Sequence, residues 1–217
     1  MLVLFILILI IHCVNSFIPP NLINPLMAGS QLVIAKKGKE YLEELKLNVN
    51  TTRKIIHITT APTFLSSLHF YNDYQPKLWA TSVPLIASLF LIYKGDNLAK
   101  VISRSGDSKE VLKGPLIYTS ILTLLTYYYW LDNPTGIIAM TQLSVGDGFA
   151  DIIGRKFGKT KWPYNTKKSV EGTFGYFITS SLATYFLVDY VYQFNYPLFE
   201  IILISFISSL VETFSKI

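Results

Sequence analysis

Six apolar segments, each close to the length of a bilayer-crossing helix, do most to constrain how this chain can fold. They cover approximately residues 55–71, 78–93, 115–131, 135–153, 173–194 and 197–214. A spanning helix needs roughly 20 apolar residues. In lipid the backbone must satisfy its own hydrogen bonds, so helix is the expected conformation. Of the 217 residues 51% are hydrophobic and 15% charged, and the mean hydropathy is positive. That composition points away from an ordinary soluble domain. The expected fold class is all-α, a polytopic membrane protein of about six transmembrane helices.

The basic residues support this threading. When loops are assigned to alternate sides of a membrane, only Lys77 of the 19 Lys and Arg residues falls on one side. The positive-inside rule places the crowded side in the cytoplasm, or in the stroma of a plastid. The polar stretches then share one face: 53–57, the 94–114 loop, the end of the fourth segment and the 154–172 loop. The opposite turns, 72–77, 132–134 and 195–196, are too short to hold a site. Tyr127, Tyr128, Tyr129 and Trp130 sit at the outer end of the third segment, where an aromatic belt is expected.

Residues 1–16 resemble a signal peptide without its basic start. Their apolar core, Leu2 to Ile11, is too short to span, and Cys13, the single cysteine, rules out a disulfide framework. A Phe at position 17 after the leader resembles the two-part plastid-targeting leaders of algae with complex plastids, and a plain secretory signal fits as well. Residues 17–52 read as a targeting remnant or surface segment, and 53–217 as the membrane-embedded working domain.

The chemistry concentrates in Gly146-Asp147-Gly148-Phe149-Ala150-Asp151-Ile152-Ile153-Gly154-Arg155. A charge at mid-bilayer costs roughly 2.5–3.5 kcal/mol on insertion scales, so two carboxylates in an apolar segment need a reason. On a helix Asp147 and Asp151 share a face, with Arg155 one turn further. Gly146, Gly148 and Ala150 leave room for something to approach. Mg²⁺ takes a few carboxylates together with waters and substrate phosphates, so Asp147 and Asp151 are the candidate metal ligands. The competing reading is a buried ion pair, Asp151 with Arg155, which leaves Asp147 without a local partner.

The basic stretches around this pair suit phosphate. Gly154 to Lys161 is not a P-loop, because only three residues separate Gly154 from Gly158 and no strand precedes it. A glycine-loosened basic loop still offers backbone N–H groups and lysines, here Arg155 and Lys159, to phosphate oxygens. Lys167 and Lys168 could neutralise a polyphosphate. Ser169 is placed to cap the next helix. Glu171 lies in that helix's first turn, where a carboxylate suits the dipole or serves as a metal ligand or base. Arg53, His57 and Lys113 are further candidates on the same face.

These residues resemble the polyprenol kinase family, in its phytol kinase and farnesol kinase branch. The likeness rests on Gly146 to Lys159 and on Lys167-Lys168-Ser169-Val170-Glu171-Gly172. Arg53-Lys54-Ile55-Ile56-His57, Ser103 to Asp107 and Leu112 to Pro115 support it by their order. The resemblance implies transfer of a nucleotide γ-phosphate, commonly from CTP, to a long isoprenoid alcohol, phytol first among them. It implies catalytic roles for Asp147, Asp151 and Glu171, with Mg²⁺ as cofactor. Gly146, Gly148, Lys113, Arg53, His57, Arg155, Lys159, Lys167 and Lys168 would bind nucleotide phosphates. The expected partners are CTP or another nucleoside triphosphate, the isoprenoid alcohol and the lipid bilayer, with no nucleic acid. The expected location is a plastid membrane, with the endoplasmic reticulum as alternative. Val211-Glu212-Thr213 resembles the start of the family's last conserved stretch, after which members continue into at least one more span, so a longer protein is expected.

A CTP-dependent phosphatidate cytidylyltransferase shares an Asp-bearing helix, a Gly-Arg-x-Phe-Gly-Lys stretch and a Lys-Lys-Ser-x-Glu-Gly run. An ion-coupled carrier would also explain intramembrane acids, although the sequence shows no inverted repeat.

Overall fold

The apolar segments fold as helices, and the polar stretch between the fourth and fifth folds as a small hairpin. The computed structural model describes residues 49–68, 77–102, 114–129 and 133–215, with Glu44 as an isolated position. In chain order these form α1 (Val49–Leu68), α2 (Lys77–Ile102), α3 (Pro115–Tyr129) and α4 (Thr135–Thr141). A π-helical turn, Gln142–Gly146, leads into α5 (Asp147–Phe157). Strands β1 (Lys161–Trp162) and β2 (Asn165–Ser169) follow, then α6 (Val170–Tyr185), a second π-helical turn (Phe186–Val191) and α7 (Leu198–Glu212).

The all-α expectation holds apart from the antiparallel β1–β2 pair, whose register shifts between Lys161 and Trp162. The 94–114 stretch is not all loop, since α2 continues to Ile102. Six membrane-spanning helices are not established by the fold: among the described residues no helix is long and apolar enough to cross a membrane. A π-helical turn interrupts the fourth apolar segment and another ends the helical run of the fifth, and α3 and α7 have only 15 residues each.

The chain divides into two compact units, Met1–Arg53 with Ser67–Gly136, and Lys54–Ser66 with Ile137–Ile217. In the first, α2 packs on α3. Ser88 donates to Thr119 Oγ1 (2.8 Å) across that contact, and the Lys77 ammonium lies 5.0 Å above the Tyr127 ring.

The second unit combines the Lys54–Ser66 part of α1 with α4 to α7 and carries the motif residues. Its interior holds Phe64, Leu65, Ile137, Met140, Leu187, Val188 and Ile201, but also Thr141, Gln142, Ser144, Ser180, Thr184, Ser205 and Ser209. Several of these hydroxyls return to the carbonyl four residues back, as Thr141 does to Ile137 (2.7 Å) and Ser144 to Met140 (2.8 Å). Gln142 Nε2 donates to Ser205 (2.9 Å) and Thr184 (3.2 Å), tying the first π-turn to α7 and α6. Along α7 the buried face reads Ile201, Ser205, Ser209, while Phe199, Ile202, Leu203, Phe206, Ile207 and Val211 are exposed. Small polar residues face in and large apolar residues face out, the reverse of a water-soluble helix.

Candidate functional site: a two-carboxylate centre on α5

Asp147 is the first residue of α5, directly after the π-turn, and its backbone N–H bonds to Gln142 O and Ser144 O. Such π-turns recur where a helix must re-aim a functional side chain. The residues on either side of Asp147 are glycines for a packing reason. A Cβ on Gly146 would stand 2.5 Å from the Tyr176 ring of α6, and one on Gly148 would collide with Ile58 of α1. The room that the sequence analysis left for a ligand at Gly146 and Gly148 is therefore filled by neighbouring helices.

That close approach brings α1 onto Asp147. Lys54 Nζ donates to Asp147 Oδ2 at 2.7 Å, and His57 Nε2 stands 3.9 Å from the same oxygen. Lys54 and His57 are three residues apart and so share a helix face. His57 Nε2 is also 3.3 Å from Leu143 O. The Lys54 side chain is 12% exposed and that of Asp147 33%, so the carboxylate is the more accessible partner. The sequence analysis left Asp147 unpartnered and passed over Lys54. Its partner lies 93 residues away.

A second ion pair lies in the same unit. Lys168 of β2 pairs with Glu212 at the end of α7, both side chains largely buried. Lys54, His57 and Asp147 thus form one charged cluster drawn from α1 and α5, with the Tyr176 ring of α6 packed at the adjacent Gly146, and Lys168 with Glu212 forms a second that joins β2 to α7.

The hairpin is held by its own contacts. Trp162 Nε1 donates to Thr173 Oγ1 (2.9 Å), Tyr164 OH pairs with Thr213 Oγ1 (2.7 Å), and Asn165 Nδ2 donates to Thr213 O (2.8 Å). Ser169 caps α6 as expected, accepting from Gly172 N–H at 3.1 Å. Glu171 accepts from the backbone N–H of Lys159 (3.1 Å) and Thr160 (3.0 Å). Hydrogen bonds from its own backbone N–H and from Thr160 hold its carboxyl below the usual glutamate value. Its carboxylate is thereby committed to the Lys159–Thr160 turn. Behind that turn α5 and α6 pack closely, since a Cβ on Gly172 would stand 2.9 Å from Ala150 O and 3.2 Å from Gly154 Cα.

The remaining expected residues are dispersed. Asp151 pairs with Arg155 at 2.9 Å, the local alternative weighed from sequence. Lys159 and Lys167 are exposed. Lys113 and the side chain of Arg53 lie outside the described residues. The sequence did not point to Tyr176, whose ring packs beside Gly146, or to the pairing of Glu212 with Lys168; the C-terminal resemblance at Val211-Glu212-Thr213 was the one available signal for Glu212.

Two part-buried carboxylates one helical turn apart suit Mg²⁺ when substrate phosphates and water complete the shell. Asp147 Oδ2 already receives one positive charge from Lys54. Among the described residues no group of three or more His, Cys, Asp and Glu gathers to hold a metal ion. An open apolar groove of about 600 Å³, lined by Ile153, Phe157, Phe174 and Ile178, runs between α5 and α6. Ile153 is two residues from Asp151, about 200° round the helix, so the groove opens away from the aspartates.

The geometry is an acidic pair on one helix, Asp147 held by Lys54 and Asp151 by Arg155, built among apolar helices. The chain belongs to the cytidylyltransferase family, which it matches over residues 1–215. It is 36% identical over 199 residues to the probable phytol kinase 1, chloroplastic, of Glycine max, covering 85% of this chain and 66% of that protein. It is 35% identical over 189 residues to the farnesol kinase, chloroplastic, of Arabidopsis thaliana, covering 81% of this chain and 60% of the relative. With phytol kinase 1, chloroplastic, of Arabidopsis thaliana the figures are 33% over 176 residues, 75% and 58%. The chain spans about half to two thirds of the length of the curated relatives it matches. No solved structure matches it.

Proposed function

We propose that this protein phosphorylates a long-chain isoprenoid alcohol, phytol in the first instance, to its monophosphate, with CTP as donor. The observation that carries the proposal is the placing of Asp147 and Asp151 one turn apart on one helix, with Lys54 of α1 brought onto Asp147. The names of the phytol and farnesol kinase relatives supply the substrate class.

Phosphoryl transfer asks mainly for positioning and charge neutralisation. Asp147 and Asp151 would hold Mg²⁺, which when bound neutralises charge on the phosphate oxygens. Lys54 contributes positive charge at Asp147. Arg155 at the end of α5, Lys159 in the turn fixed by Glu171, and Lys167 on β2 present exposed cations. His57 stands within reach of a proton moving near Asp147.

The domain works in a bilayer. The inward hydroxyls and outward Phe, Ile and Leu of α6 and α7 support this reading, because helices in lipid pack through small and polar residues. The positive-inside pattern then faces the basic hairpin toward the stroma of a plastid, and the relatives are named chloroplastic. An alcohol dissolved among the helices would bring its hydroxyl to this edge.

The test is to incubate membranes containing the protein with CTP labelled in the γ-phosphate and phytol, then extract lipid. Label in a monophosphate lipid with release of CDP is the expected result. Pyrophosphate release with a cytidylylated lipid would instead establish the cytidylyltransferase reading that the family description favours. Neither product, over a panel of alcohols and nucleotides, would overturn the kinase proposal.

A further inference from the structure

We infer that Lys54 is an exchangeable counterion: it neutralises Asp147 while the site is without nucleotide, and moves to a phosphate oxygen when Asp147 is shared with a divalent cation. This rests on the kinase reading above and assigns a role to a residue outside the expected site.

Three observations carry it. Lys54 Nζ sits 2.7 Å from Asp147 Oδ2 and neutralises the carboxylate that a cation would share. Another lysine, Lys168, is already held by Glu212 from a different helix, so its charge is spoken for independently of Asp147. Asp147 is also the more exposed member of its pair, so an incoming cation meets the carboxylate while Lys54 stays sheltered.

Charge balance sets the consequence. A largely buried lysine left without an anion is costly, so a divalent cation alone competes poorly with Lys54 for Asp147. When the cation arrives with a polyphosphate, the released ammonium gains a new anion. Its four-carbon stem lets it turn without moving α1. Cation and nucleotide binding must therefore assist each other, and by linkage the assistance is equal in both directions.

The experiment measures Mn²⁺ binding by electron paramagnetic resonance in the full chain, with and without a non-hydrolysable CTP analogue. Wild type should bind Mn²⁺ at least about fivefold more tightly with the analogue, the lower end of typical couplings. Lys54→Met should bind Mn²⁺ more tightly than wild type without nucleotide, bind the analogue more weakly and lose the coupling. Lys54→Arg should keep it. A merely structural Lys54 would weaken both ligands together, and that result overturns the inference. Equal Mn²⁺ affinity in wild type with and without the analogue also overturns it, whether or not Lys54→Met folds. Transfer of label to phytol by wild type is read separately, so the kinase proposal can stand when the role of Lys54 falls.

Discussion

The two aspartates of α5 are four residues apart and live in different electrostatic worlds. Asp151 is paired within its own helix by Arg155, an exposed partner one turn away. Asp147 is paired across the fold by Lys54, 93 residues distant in sequence and largely buried, with His57 3.9 Å away. The first arrangement is a surface pair, worth little to stability. In the second the cation is the sheltered partner, Lys54 being 12% exposed against 47% for Arg155, and a charge so placed is expensive unless satisfied and strong when used. Two carboxylates one turn apart on the same helix thus have different partners, and on the proposed function Asp147 would be the electrostatic hub and Asp151 the rim.

The largest expected effect follows from that contrast. Asp147→Asn keeps the shape and removes the charge, so transfer should fall at least about 100-fold, the scale seen when one preorganised electrostatic group is lost. Circular dichroism should show the helices retained. Full turnover in Asp147→Asn would end its role as hub. Next comes Lys168→Met, which strands Glu212 in a largely buried position. It should cost about 3 kcal/mol in chemical denaturation, and the further change Glu212→Leu should recover much of that. A loss below about 0.5 kcal/mol would show that the Lys168–Glu212 pair does not behave as a buried one.

What the sequence made legible follows the same division between local and distant. The Asp151–Arg155 pair and the Ser169 cap could be read because both partners lie within one helical turn. The six helical stretches could be read from apolar runs. Lys54 could not, because nothing in residues 49–60 says which helix α1 will meet. Gly146 and Gly148 were visible as small residues but misread as space for a ligand, since packing by Tyr176 and Ile58 depends on the tertiary fold. The hairpin was hidden because two short strands rich in Lys carry no apolar alternation. Gly172 belongs to this group as well. Gly172→Ala should cost roughly 1–3 kcal/mol by overpacking α5 against α6, measurable as a lowered denaturation midpoint. A neutral result would show that the two helices can part at little cost.

Glu171 lies between the two extremes, a local helix-start carboxylate that reaches back to a turn eleven residues earlier. Glu171→Gln should raise the KM for nucleotide a few-fold while leaving kcat nearly unchanged, because it loosens the Lys159–Thr160 turn without touching Asp147. The pH sign follows from its lowered value. The contribution is fully present above the ordinary glutamate pKa of 4.5 and is lost as pH falls through the lower folded value. Hydrogen exchange at Thr160 should therefore quicken only in acid for wild type, and at all pH values for the Gln variant. Equal protection in both would leave the turn held by something other than this carboxylate.

The smallest effect is expected at Arg155, and it tests the comparison from its weak side. Arg155→Ala removes an exposed pair between residues four apart, with the acid on the N-terminal side, so stability should drop by only about 0.3–0.5 kcal/mol. That small loss should disappear in about 1 M salt, where screening acts over roughly 3 Å. The nucleotide KM can rise without the stability moving, because an exposed guanidinium meets phosphate from solvent. A loss near 3 kcal/mol that persists in salt would mean the Asp151–Arg155 pair is as strongly held as the Asp147–Lys54 pair. Both carboxylates would then belong to the hub, and Asp151→Asn would have to match Asp147→Asn in lost transfer.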